Sequence, residues 1–275
     1  MLKSCSGTCF FLQKSDDASP PSPFPLLNSQ HNAPIKTVHL CPQKGWIITG
    51  SWDKTLSFWD ARASSRVGSV TLSDRVVSAD VLDNHYIVAT VDGKVHIFDL
   101  VNPAAPVRSI STRPLVMMTR AVKIFHDRKF FAVTSLEGRC AVKTIDVAGD
   151  TQLDPTNASR QLTFAFRCHR DDSFIYPVNF IDTHPAPAFN SVFATGGSDG
   201  SVAFWQRQER HKLNFTLTRP LPIVDGHWNS TGDLFVVGSS YDWSKGQEYY
   251  NKDAQNTITV RHTPEPELRA QKKNK

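Results

Sequence analysis

The stretch TGGSDGSVAFWQ, residues 195–206, and its counterpart TGSWDKTLSFWD, residues 49–60, decide how the chain is read. Each has an apolar strand end, a turn of small residues holding an acid, and then a strand whose apolar side chains alternate. That period of two marks a hairpin with one buried face. The plan recurs in ATVDGKVHIFD, residues 89–99, and in TSLEGRCAVKTID, residues 134–146. A further strand-like run stands upstream of each hairpin: PIKTVHL, VVSADVL, AVKIF and YPVNFI. The turn acids Asp53, Asp92, Glu137 and Asp199 therefore head units of three or four short strands. Their spacing, roughly 40 residues where no insertion intervenes, is that of propeller blades.

The widest interval contains the insertion Thr151–Gln161. A fifth unit runs from PIVDGHW through GDLFVVGSS to TITVRH, and its last two strands are separated by SYDWSKGQEYYN, residues 240–251. The expected fold is an all-β propeller over residues 31–262. Residues 1–30 are expected to be an irregular lead-in, because QKSDDASPPSPFPLLNSQ holds four prolines and four serines and such a composition packs poorly. Residues 263–275 read as a basic tail.

Composition agrees with a globular β protein. The chain has 275 residues, 40% hydrophobic and 21% charged, with six Trp, 17 Phe and five Tyr. Aromatic and β-branched residues suit half-buried pleated surfaces. The net charge of +5 permits contact with nucleic acid or acidic protein segments. Part of the excess is local, in Arg261, Arg269, Lys272, Lys273 and Lys275. Five scattered cysteines, at 5, 9, 41, 140 and 168, form neither a disulfide framework nor paired zinc spacing, so a reducing compartment is expected and no metal. The lone Cys5–Cys9 spacing lacks a second ligand pair, and Cys168 reads as a small buried hydrophobe. No apolar run approaches a membrane span.

In two units the residue types form a set. Thr49, Asp53 and Trp59 have the same offsets as Thr195, Asp199 and Trp205, and a histidine precedes each set, His31 or His169. These are the types of the WD-repeat relay, in which a turn Asp holds a loop His, the His meets a strand Thr, and the hydroxyl meets the Trp indole. A Ser/Thr-His-Asp catalytic triad is the competing reading, but it would require two copies of one active site in a single chain. The second and third units carry Phe98 and Lys143 at the Trp offset, so incomplete relays are expected there.

GSWDKTLSFWD, SLEGRCAV, FAFRCHR, FATGGSDGSVAFW and SSYDWSKGQEYYN resemble the messenger-RNA export family of WD-repeat propellers at the nuclear pore, whose sister is the mitotic-checkpoint propeller. The SLEGR and CHR stretches are common to both sisters, while SYDWSKG resembles the export branch. The resemblance covers about residues 30–261. It implies a non-enzymatic scaffold that binds the GLEBS segment of a nucleoporin, supports messenger-RNA export and resides in the nucleus, at the pore and envelope, and also in the cytoplasm. It implies further that Arg170 and Lys245 receive acidic side chains of the partner, on exposed loops, and that no cofactor or small-molecule substrate is used. Tyr241, Asp242 and Trp243, with Lys245, Glu248, Tyr249 and Tyr250, offer the contact area and directional charge of an interface, although the aromatics could instead cover the blade's edge. RNA contact, where it occurs, is expected to be weak and salt-sensitive. The alternative is a kinetochore adaptor binding GLEBS-like kinase segments. A propeller hydrolase or lyase would need convergent acid, base or metal groups, and none is readable. The family is seven-bladed by this resemblance and five units are counted, so the chain is expected to lack the first two blades.

Overall fold

In the computed structural model, residues 31–62, 65–146 and 161–269 are described, apart from the side chains of Ser65 and Phe215. The lead-in 1–30, the insertion up to residue 160 and the terminal lysines lie outside the described residues. The chain divides into two compact units, residues 1–111 and 112–275.

The first unit holds two four-stranded antiparallel blades. One runs β1 (Ile35–Cys41), β2 (Trp46–Ser51), β3 (Thr55–Asp60) and β4 (Ser65–Thr71); the other runs β5 (Val76–Leu82), β6 (His85–Thr90), β7 (Lys94–Asp99) and β8 (Arg108–Ser111). The second unit holds three. The third blade is β9 (Thr119–Ile124), β10 (Phe130–Ser135), β11 (Arg139–Thr144) and β12 (Phe164–Arg167), and the fourth is β13 (Val178–Thr183), β14 (Val192–Gly197), β15 (Ser201–Gln206) and β16 (His211–Thr218). The fifth has three strands among the described residues, β17 (Ile223–Trp228), β18 (Leu234–Ser239) and β19 (Thr257–His262). This is the WD-repeat propeller fold class that the repeated hairpin predicts.

The turn sequences explain the hairpins. The residue after each acid takes a left-handed backbone: Lys54 (φ 68°), Gly93 (74°), Gly138 (60°) and Gly200 (74°). Such a turn matches the twist of the flanking strands. At Gly200 a Cβ would also sit 2.3 Å from the carbonyl oxygen of Arg219, so glycine is required there twice over.

Within each unit the first strands of successive blades lie against one another, and the blade faces bury apolar side chains between them. Ile48, Leu56 and Phe58 pack with Val76, Tyr86 and Val88 in the first unit. Phe180, Phe204 and Val202 pack with Trp228, Phe235 and Val237 in the second. All five first strands also contain a register shift, which places one extra residue at Lys36, Val77, Arg120, Asn179 or Val224. A bulge kinks its strand and re-aims the side chain it carries.

Beyond His262 the chain makes one helical turn, α1 (Glu265–Leu268), and Leu268 is buried in the core of the fourth and fifth blades. The start of the stretch read as a tail is thus packed against the fold. The basic residues Lys272, Lys273 and Lys275 lie outside the described residues.

Candidate partner-binding site and structural relay

The two relay sets are assembled in their blades. His31 Nδ1 lies 2.9 Å from Asp53 Oδ2, its Nε2 lies 2.8 Å from Thr49 Oγ1, and Trp59 Nε1 donates to the same hydroxyl at 2.9 Å. In the fourth blade His169 Nδ1 is 3.0 Å from Asp199 Oδ1, Nε2 is 2.8 Å from Thr195 Oγ1, and Trp205 Nε1 donates to that hydroxyl at 2.8 Å. An indole N–H can only donate. With the Nδ1–H tautomer, each group then donates once in one direction, from Trp through Thr and His to Asp. Burial pushes the carboxyls of Asp53 and Asp199 up. The hydroxyl and histidine partners (Thr55 and His31 for Asp53, His169 and Ser201 for Asp199) outweigh it and hold both below the ordinary carboxylate value. The buried hydroxyls Thr49 and Thr195 are spent on their partners, and each set braces a turn.

The second blade builds a different network, which spacing did not announce. Thr90 Oγ1 donates to Asp92 at 2.5 Å, and buried His96, two residues before Phe98 on β7, takes the place of a loop histidine. Its Nε2 lies 3.2 Å from Ser73 Oγ and its Nδ1 lies 2.8 Å from Ser109 Oγ. Burial opposes ionisation of Asp92, yet bonds from Lys94, Thr90 and Ser73 bring it down to about 2. In the third blade Glu137 instead accepts the backbone N–H of Val116 at 2.7 Å.

SYDWSKGQEYYN forms most of the connection from β18 to β19, residues 240–256, as the strand pattern predicts. The Trp243 and Tyr250 rings stack at 5.1 Å with an interplanar angle of 12°, and Tyr241 packs on both. Tyr241 Oη donates to the Gly246 carbonyl at 2.6 Å, and Trp243 holds a left-handed φ of 61°. Bulky residues rarely adopt that conformation. The aromatics cover one another while Trp243 stays 57% exposed. Lys245 is exposed, with Nζ 5.8 Å from the centre of the Tyr249 ring.

Two residues sit differently from the expectation. Arg170 is only partly exposed, and its Nη2 donates to the carbonyls of Glu137 at 2.9 Å and Gly138 at 3.3 Å, so it braces the third-blade turn. Asp242 directs its charge inward, accepting from Ser198 Oγ, from Asn179 Nδ2 at 3.2 Å and from the Ser244 N–H at 3.1 Å. Burial raises its carboxyl, and these bonds outweigh that and lower it. Cys168 is buried beside Cys140 in an apolar cluster, and burial pushes its thiol up to about 12. Among the described residues no group of three or more His, Cys, Asp or Glu could hold a metal ion. No helix among them is long and apolar enough to cross a membrane.

Residues 25–60 match the family described as WD domain, G-beta repeat. The chain is 38% identical over 250 residues to an mRNA export factor of Xenopus tropicalis, which covers 86% of this chain and 64% of the relative. It is 33% identical to the mRNA export factor GLE2 of Chaetomium thermophilum, covering 79% of this chain and 59% of the relative. Mitotic checkpoint protein bub-3 of Caenorhabditis elegans is 30% identical, with 87% of this chain and 68% of the relative covered. The chain belongs to the WD-repeat family of the mRNA export factors and bub-3. A chain in a crystal structure of the mitotic checkpoint complex superposes with a TM-score of 0.67 at 11% identity, over 88% of this chain and 67% of the other, and that likeness concerns the fold alone. The chain spans about three-fifths of the length of the export factors it matches.

Proposed function

We propose that this protein is a non-enzymatic scaffold of messenger-RNA export that binds an acidic, GLEBS-type nucleoporin segment at the nuclear pore. The observation that carries the reading is the 240–251 connection. It presents Lys245 and three packed aromatics, of which Trp243 and Tyr250 are exposed, at the place where the other blades have a tight turn. Rigid aromatics beside a mobile cation make an interface anchor for a carboxylate-bearing peptide. Arg170 serves mainly by holding its loop to the third-blade turn, and it meets an acidic side chain only with donors not already turned inward. The relay groups are committed to one another and carry no reaction.

The export reading is favoured over the checkpoint one because identity to the export factors, 33–38%, exceeds the 30% to bub-3. Calorimetric titration with a GLEBS peptide tests it, with a GLEBS-like kinase peptide as the competitor. Tighter binding of the kinase peptide would reverse the order of the two readings. Wild-type affinity in Lys245→Glu would remove the 240–251 connection from the binding surface.

A further inference from the structure

The root of the 240–251 connection is held by a hydrogen-bonded line across three blades. Arg120 Nη2, at the third-blade bulge, donates to Asn179 Oδ1 at 2.9 Å. Asn179 stands at the fourth-blade bulge, and its Nδ2 reaches Ser198 Oγ at 3.2 Å, the Ile223 carbonyl at 2.9 Å and Asp242 Oδ2 at 3.2 Å. Ser198 Oγ donates to the same Asp242 oxygen. A guanidinium has donors only and a carboxylate acceptors only. The amide of Asn179 is therefore oriented by its ends: oxygen toward Arg120, nitrogen toward Asp242. The line runs in one direction from cation to anion, and no other common side chain of this length can both accept at one end and donate at the other.

What the line holds is specific. Asp242 precedes Trp243, whose left-handed backbone turns the ring onto Tyr250, and the other oxygen of Asp242 caps Ser244, next to Lys245. Fixing Asp242 thus fixes where the aromatic stack and the lysine begin.

We infer that Arg120, Asn179 and Ser198 are positioning residues that pre-organise the 240–251 connection for its partner, with Asp242 as the anchor and not a partner contact. The inference rests on the proposed partner binding for its consequence, while the ordering of the connection can be read without any partner. A surface that must order on binding loses affinity in proportion to the fraction already competent. If the line keeps most molecules competent and its loss leaves about one in ten, affinity falls about tenfold.

The decisive variants are Asn179→Asp and Ser198→Ala in the full chain, with Ser198→Thr as the variant that keeps the hydroxyl. Asn179→Asp keeps the acceptor for Arg120 but cannot donate and sets an anion against Asp242. Backbone hydrogen exchange over residues 241–250 should quicken about tenfold in the first two and stay near wild type in Ser198→Thr, while strands of the first two blades keep their protection. Affinity for a GLEBS peptide should fall about tenfold in the same two variants. Unchanged exchange over 241–250 in both would overturn the inference, as would faster exchange with undiminished peptide affinity. Should one variant lose protection throughout, the other decides. A wild-type chain that fails to bind the peptide would sink the proposed function, and the exchange pattern would still judge the ordering.

Discussion

Replacing His169 with alanine should destabilise the fourth blade more than replacing Asp199, although the two touch. Without His169 the fully buried hydroxyl of Thr195 loses the ring nitrogen 2.8 Å away and keeps only the Trp205 indole as a partner. Asp199 loses its imidazole but retains the Ser201 hydroxyl at 2.6 Å and the Ser201 N–H at 3.1 Å. One orphaned buried group and a small void together give a cost of about 2 to 3 kcal/mol. Without Asp199, His169 Nδ1 still has Ser201 Oγ at 3.3 Å as an alternative acceptor, so about 1 to 2 kcal/mol is expected. The double variant should fall short of the sum by roughly 1 kcal/mol, because both deletions break the same bond. Urea titrations of the four proteins give the cycle, and hydrogen exchange over Thr195–Trp205 locates it. Additivity within about 0.5 kcal/mol, or a larger loss from Asp199→Ala, would refute the one-directional relay.

Gly197→Ala should cost about 1 to 3 kcal/mol by overpacking, since its Cβ would stand 2.6 Å from His169 Nδ1; a neutral result in urea melts would show that the ring is free to move. Lys245→Glu should weaken a GLEBS peptide by on the order of 2 kcal/mol with an unshifted melting transition, whereas Arg170→Ala should lower the transition as well, having lost its bonds to Glu137 and Gly138. His227 Nδ1, on an exposed side chain, pairs with buried Asp182 at 2.7 Å, and that bond raises the imidazole above its ordinary 6.5 against desolvation and nearby Lys123. The stabilisation is full below 6.5 and is lost as pH rises through the raised value. Melts at pH 6 and 8 should therefore separate wild type from His227→Gln more at the lower pH, and the difference between variants cancels the opposite slopes of His96 and His184, which burial lowers. RNA affinity should drop steeply with salt and weaken on removal of residues 269–275; salt-independent binding would exclude phosphate contacts as its source.

The blades were legible because their signal is local. Alternation, an acid and a left-handed turn residue all sit within a dozen positions, and the Thr, Asp and Trp offsets are fixed by the register of one hairpin. The second-blade network was not legible, because His96 on β7 reaches Ser73 in the β4–β5 connection and Ser109 on β8 at no fixed offset. The bulges were equally silent. A single extra residue in a first strand leaves the alternation on either side intact, so nothing in YPVNFI marks Asn179 as the residue turned toward the fifth blade. The charge of Asp242 was read as outward for the same reason. Composition shows that a carboxylate is present, while only the fold shows that Ser198 and Asn179 have claimed it.

The relay and the line from Arg120 to Asp242 meet at one turn. Thr195, Asp199 and Ser201 face the relay, while Ser198, between them in sequence, donates to Asp242. The stretch TGGSDGS can serve both because its two central glycines admit the neighbours: a Cβ on Gly196 would fall 1.9 Å from the Phe180 ring, and one on Gly197 would strike His169. The relay therefore fixes the backbone from which Ser198 reaches the fifth blade. It follows that Asp199→Ala should loosen the 240–251 connection as well as the fourth blade, although Asp199 touches no residue of that connection. Trp243→Ala should remove aromatic contact area without that effect, because an exposed side chain seldom shifts stability by more than about 0.5 kcal/mol. Hydrogen exchange over 241–250 that quickens in Trp243→Ala but not in Asp199→Ala would mean that the connection is ordered by its own aromatic stacking and not from the blade beneath it.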